Sequence, residues 1–418
     1  MQFFKWLYPG LGIKRWIVLC TLGLGLMVAV ALAAIKTITH KSVLLGAFAT
    51  ALLIFGIFLV YMSVKNMVRI FVRTLMPAHK EDPLVDLVYQ KRQIESLSRG
   101  PRVVALGGGT GLSTLLHGIK LFTNNITAIV TVTDTGGSSG RLRDEMDILP
   151  PGDIRNCLVA LADAEPLIRD LFQYRFAEGD GLTGHSFGNL FITALSKVTG
   201  DFEEAIRASS KVLAIRGRVI PSTLEKVTLV GEFTDGTVAE GETNITEQRK
   251  PIRRIQLKPA HCSATPEAID ALENADLIIL GPGSLYTSVL PNLLIGEIRE
   301  AILKSEALKV YVMNIMTQPG ETDGLSAYDH VRVLVEHTDP RVIDVCMANV
   351  HGVPQAMIEK YREKGADLVK LDFDRLQEKG YDVVQGSLLK VDGQVRHDDG
   401  ALARLIFDHY LKMSRSAR

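Results

Sequence analysis

Cysteine is scarce in this sequence. The four residues, Cys20, Cys157, Cys262 and Cys346, stand far apart, so they give neither a metal-ligand spacing nor a disulfide framework, and a reducing compartment suits them. Net charge is missing as well. Lys plus Arg and Asp plus Glu each number 47, which removes the basic field that nucleic-acid binding draws on. There is no internal repeat and no low-complexity tract. The glycine-rich stretch after residue 106 lacks a following Lys-Ser/Thr, so it is not a mononucleotide P-loop. Leu112 stands where the dinucleotide fingerprint needs its third glycine, which makes an NAD(P)-dependent oxidoreductase the weakest functional reading. Ser186 has no nucleophile elbow and no acid at triad spacing.

Long apolar runs, by contrast, are present. Trp16–Ile35 and Val43–Met62 are uncharged, each of about 20 residues, enough to span the hydrocarbon core. A cleaved signal peptide is the rival for the first run, but its length and the second run directly behind it favour a helical hairpin. Lys5, Lys14 and Arg15 precede the hairpin, Lys65, Arg69, Arg73 and Lys80 follow it, and only Lys36 and Lys41 lie between. That asymmetry places both ends in the cytoplasm and the protein at the inner (plasma) membrane. Asn66–Leu75 either lies along the membrane surface or continues the second helix. The expected organisation is a hairpin and juxtamembrane segment over 1–76, a linker over 77–100 with one short helix at Leu84–Leu97, and a cytoplasmic domain over 101–418.

Within that domain strands alternate with helices, which predicts an α/β fold: a largely parallel sheet with helices on both faces. Arg102–Leu106, Thr127–Thr133, Asp276–Leu280, Lys309–Met316 and Arg341–Met347 read as strands. Lys226–Leu257 reads as an inserted β-hairpin arm with turns at Asp235-Gly236 and Gly241. Tyr381–His397 reads as a hairpin around Asp392-Gly393, before a last helix near Ala401–Met413.

Candidate chemistry follows the strands. Gly107, Gly108, Gly109, Thr110 and Gly111 end the first, with Ser113 and Thr114 offering a helix start. Bare backbone N–H groups before a helix suit an anion, usually phosphate. After the second strand, Asp134 is placed for a ribose hydroxyl or a metal, Gly137 and Ser138 give close approach and a hydroxyl, and Arg141 gives charge. Asp153 suits an N-cap as well as a ligand role, with Asn156 in the turn behind it. His185 and Asn189 flank a helix start; His185 is equally a proton carrier or a satisfied structural residue. Arg216 and Arg218 surround a turn, Gly283 and Ser284 form a second glycine cradle, and Asn314 follows the next strand.

Taken together, GGGTGLSTLL, TDTGGSSGRLR, PPGDIRNCL, GHSFGNL, IRGRVIPST, GPGSLYTSVLPNLL and MNIMTQPGETDG resemble the bacterial gluconeogenesis factor family. That family is itself similar to the archaeal 2-phospho-L-lactate transferases of deazaflavin coenzyme synthesis. The resemblance runs from about Arg102 to the last helix. It implies a Rossmann-like core, binding of UDP-sugars such as UDP-N-acetylglucosamine, and a role in cell shape and cell-wall supply during gluconeogenic growth. On matching motif positions it implies a nucleotide-sugar site at Gly108, Gly109, Thr110, Asp134, Arg141, Asn189 and Gly283. The N-terminal hairpin departs from the simplest members. Whether chemistry occurs is left open: the leading expectation is a UDP-sugar sensor without a resident cofactor. Its rival is a transferase of phosphorus-containing groups, with Asp134 holding Mg²⁺ and His185 assisting the leaving group. Assembly as a homodimer is also left open.

Overall fold

A computed structural model describes residues 13–37, 43–75 and 95–416. The chain divides into two units, Met1–Ile94 and Glu95–Arg418. In the first, helices run over Ile13–Thr37 and Val43–Leu75. Within them, Arg15–Ala33 and Gly46–Ile70 are long and apolar enough to cross a membrane. Leu22, Val28, Phe55 and Phe58 stand more than half exposed, unlike the side chains of a packed core. The two helices meet at small residues. A Cβ on Gly23 would lie 2.9 Å from the Gly56 carbonyl oxygen, the close approach by which apolar helices associate. Asn66–Leu75 continues the second helix. Residues 95–98 are helical; the rest of the helix expected at Leu84–Leu97 lies outside the described residues, as do Lys5, Lys41 and Lys80.

The second unit is built on seven parallel strands: β1 (Val103–Gly107), β2 (Ile126–Val130), β3 (Arg218–Pro221), β7 (Leu277–Leu280), β8 (Leu308–Val312), β9 (Val345–Asn349) and β10 (Asp382–Gly386). They lie in the order β10-β9-β8-β7-β1-β2-β3. Central strands are buried on both faces, which is why they are unbroken apolar runs in the sequence. Alternate residues serve two cores. Val104, Leu106, Ile278 and Leu280 pack with Ile298, Leu334 and the inserted arm. Val103, Ala105, Leu277 and Ile279 pack with Leu112, Leu116, Leu158 and the last helix, Asp399–Ser416.

Five local expectations differ from what is found. The Arg216–Thr223 turn contains edge strand β3, and Tyr381–His397 supplies edge strand β10 before the hairpin of β11 (Leu389–Val391) and β12 (Val395–His397). The arm is a three-stranded antiparallel sheet, β5-β4-β6, from β4 (Thr228–Phe233), β5 (Val238–Glu240) and β6 (Ile252–Lys258). Gly241, at φ +91, turns the chain into a short helix, Glu242–Glu247, between its last two strands. The first domain helix spans Gly109–Ile119 and so starts inside the glycine run, while the Ser113 and Thr114 hydroxyls bond back to the Thr110 carbonyl. Pro151, not Asp153, stands at the N-cap position of the helix Gly152–Leu161, which no side chain caps.

Candidate functional site

From β1 the chain steps to β2 and β3 on one side, and from β7 to β8, β9 and β10 on the other. The order therefore reverses between β1 and β7, where open parallel sheets hold ligands. Both strands end there in glycine loops, and the loops touch. A Cβ on Gly111 would sit 2.4 Å from the Pro282 carbonyl oxygen. Gly109 takes φ +64, a left-handed conformation suited to glycine. Gly108 caps the helix without any side-chain bond, so first-turn N–H groups have no intrahelical partner.

Side chains fix the loops. Asn292 Nδ2 donates to the Gly107 and Ser288 carbonyls, at 3.3 and 2.8 Å. Asn314 exchanges two hydrogen bonds with the Gly283 backbone, at 2.8 and 3.3 Å. Gln318 Nε2 donates to Ser284 Oγ at 2.6 Å. These contacts tie both loops to the elements beside them.

Between the loops lies a cavity of about 590 Å³. Of the residues expected from sequence, Gly108, Gly109, Thr110, Asp134, Gly283, Ser284 and Asn314 line it. Asp153 and Glu242 line it too. Asp153 suits an N-cap as well as a ligand role by sequence and here faces the cavity, and Glu242 arrives from the arm with no local motif to announce it. Asp134 Oδ1 accepts from the Gly136 N–H at 2.8 Å. Loss of water raises the Asp153 carboxyl to about 6, the Asp134 charge adding to it while the Gly109 N–H opposes. Burial raises Glu242 to about 9, with Asp134, Asp153 and Glu321 adding repulsion. Glu321 is raised to about 7 by burial and accepts from the Thr287 hydroxyl at 3.3 Å. At neutral pH Glu242 is therefore a neutral acid able to donate a hydrogen bond.

The remaining predicted residues fall elsewhere. Gly107 ends β1 behind the cradle. Ser138, His185 and Asn189 form a buried cluster outside the cavity: Ser138 Oγ bonds His185 Nδ1 at 2.9 Å and accepts from Asn189 Nδ2 at 3.1 Å. Asp134 and His185 thus do not line one cavity. Gly137 opens the helix Gly137–Met146, and Arg141 from that helix donates to the Thr183 carbonyl. Arg218 begins β3, at the amino-terminal end of the sheet, and lines a separate cleft there. Asn156 lines a second cavity of about 660 Å³ that shares Thr110, Thr114, Arg396 and His397 with the first. Among the described residues, no three His, Cys, Asp or Glu gather to hold a metal ion alone.

Comparison with known proteins agrees with this architecture. The family model described as 2-phospho-L-lactate transferase CofD matches residues 103–389. The gluconeogenesis factor of Bacillus subtilis is 48% identical over 313 residues, covering 75% of this chain and 99% of that protein. A gluconeogenesis factor relative from Clostridium acetobutylicum is 44% identical over 419 residues, 98% of this chain and 92% of that protein, so its match extends into the N-terminal unit. A crystal structure of a UPF0052 family member from Bacillus halodurans superposes with a TM-score of 0.72 at 45% identity, covering 74% of this chain and 99% of that one. The chain belongs to the gluconeogenesis factor proteins of the 2-phospho-L-lactate transferase CofD family.

Proposed function

We propose that this protein is a membrane-anchored regulator whose cytoplasmic domain holds a UDP-sugar, such as UDP-N-acetylglucosamine, and supports cell shape and cell-wall supply during gluconeogenic growth. The observation that carries the binding function is the cavity of about 590 Å³ at the β1/β7 reversal, faced by two braced glycine loops. Its volume lies in the range of small-molecule sites. The Gly108–Thr110 backbone at the helix N-terminus would take the diphosphate. Neutral Glu242 would donate to a ligand oxygen, and Asp134 would accept from a ribose hydroxyl. The two apolar helices would anchor the chain, with the domain on the cytoplasmic side that the flanking cations favour.

The second reading, a Mg-dependent transferase like 2-phospho-L-lactate transferase, is favoured by one observation: Asp134 and Asp153 line the same cavity. Mg²⁺ is commonly held by one or two carboxylates together with phosphate oxygens, so these residues fit it only alongside a bound nucleotide. There the ion would offset the charge of the diphosphate.

The test is calorimetric titration of the detergent-solubilised full chain with UDP-N-acetylglucosamine, with and without Mg²⁺, and mass spectrometry of the recovered ligand. Binding with intact ligand is expected. Ligand consumed in a Mg-dependent way would transfer the assignment to the enzyme. No binding of any uridine nucleotide at millimolar concentration would exclude the proposed ligand.

A further inference from the structure

We propose that the second cavity, of about 660 Å³, is an anion site in its own right that takes a small phosphomonoester. Five cations line it: Arg155, Arg169, Arg175, Lys390 and Arg396. Three acids face them, Asp170, Asp392 and Asp399, and Asp399 is engaged with His117 at 3.5 Å. Where the cations bond, they bond neutral acceptors. Arg155 donates to Asn156 Oδ1 at 2.7 Å, Arg175 to the Gly184 carbonyl at 2.5 Å, and Arg396 to Gln394 Oε1 at 2.6 and 3.1 Å.

Arg155 makes the case sharpest. It is only 9% exposed, and its Nε has no hydrogen-bond partner. The Arg169 Nε is buried without a partner as well. A buried guanidinium left incompletely paired is destabilising, and several converging cations compound that. For Arg155, burial and then the nearby Arg175 charge both disfavour the protonated form. An anion in the cavity would offset both, adding to the opposing Asp153 and Asp134 charges.

The chemistry of the lining narrows the ligand. Five cations against three acids leave a formal excess of two positive charges. His397 is pushed down to about 4, and His117 is also lowered, both chiefly by burial, so neither adds to that excess at neutral pH. A phosphomonoester carries about −1.5 to −2 at pH 7, with three acceptor oxygens. Arginine forks fit those oxygens better than a point charge does. Gln173, Gln394 and the Ser113 hydroxyl also line the cavity and suit a hydroxylated carbon frame. The site does not rest on the UDP-sugar assignment, although the two cavities share part of their wall.

The test uses detergent-solubilised full chain, titrated calorimetrically with inorganic phosphate and with a hexose 6-phosphate, alone and then with UDP-N-acetylglucosamine present. Both probes should bind, the sugar phosphate more tightly. Arg169→Gln and Lys390→Gln, each partly or fully accessible, should weaken both by at least tenfold while the UDP-sugar isotherm stays as in the parent and the melting temperature does not fall. Unchanged phosphate affinity in both variants would overturn the proposal. So would one-for-one displacement of the sugar phosphate by the UDP-sugar, which would make the two cavities one site. Phosphate binding without any UDP-sugar binding would sustain this site while excluding the function proposed above.

Discussion

Glycines of one motif should differ sharply in what they tolerate. A Cβ on Gly107 meets its nearest neighbour, Leu112 Cβ, at 3.6 Å, which is ordinary contact. A Cβ on Gly111 meets the Pro282 carbonyl oxygen at 2.4 Å and Gly283 Cα at 3.1 Å. The first distance falls about 1 Å short of ordinary contact, and the obstruction is backbone on both counts. Gly111→Ala must therefore push the β1 and β7 loops apart. Overpacking of this kind costs about 1–3 kcal/mol, a melting decrease of roughly 2–6 °C for a domain of this size. The same displacement would lengthen the hydrogen bonds that the proposed ligand takes from both loops, and losing about 1.4 kcal/mol of them would weaken binding roughly tenfold. Gly107→Ala should melt and bind nearly as the parent does. Thermal melts and UDP-sugar titrations of the two variants, side by side, provide the assay. Parent-like behaviour of Gly111→Ala, or a larger loss in Gly107→Ala, would refute the loop-contact argument.

Three further outcomes are expected. Folded Glu242 and Glu321 keep their protons to about 9 and about 7, whereas unfolded glutamates titrate near ~4.3. As pH rises through this window the unfolded chain releases protons that the folded chain retains, so ligand-free stability should fall between about pH 5 and 9; Glu242→Gln should flatten the decline, and an unaltered slope would show that Glu242 does not drive it. Ser138→Ala leaves His185 and Asn189 without their shared partner and should cost about 1–3 kcal/mol in denaturant melts, with UDP-sugar affinity held within about twofold because neither residue lines the cavity; a selective loss of affinity would give the cluster a ligand role. Deleting residues 1–94 should move the protein from the membrane to the soluble fraction on centrifugation, and continued membrane residence of the truncated chain would count against anchoring by the hairpin.

The sequence made the centre of the fold legible and left its margins obscure, for physical reasons. Strands such as Ile126–Val130 and Leu277–Leu280 are buried on both faces, so selection for apolarity marks each residue. The edge strand Asp382–Gly386 is only partly buried, and Arg218–Pro221 has four residues ending in proline; neither leaves a continuous apolar signal. The glycine cradles could be found because backbone approach demands glycine locally. Glu242 could not, because a separate sheet carries it to the cavity. Ser138, His185 and Asn189 carry the same sequence signal as the cradle residues, polar groups near glycines and helix starts, which serves hydrogen-bond networks as well as ligands, and the fold brings them together in a network of their own. Arg155, beside Asn156, carries no signal of its own, since one arginine in a helix reveals nothing of the four other cations that line the same cavity.

The pairing of β1 with β7 also governs when the crevice can form. Arg102 donates to Asp276 through its backbone N–H at 2.8 Å and through its guanidinium at 2.9 and 3.2 Å, across 174 residues of chain. A nascent chain that has emerged only as far as β3 has one glycine loop and no facing wall. The crevice closes only after β7 has joined the sheet, and bringing such distant strands together carries a large loop-closure entropy and slows folding. A ligand that needs both loops then binds the completed sheet and not its precursors, stabilising it by mass action. Metabolite supply would in this way act on the yield of mature protein as well as on its occupied state.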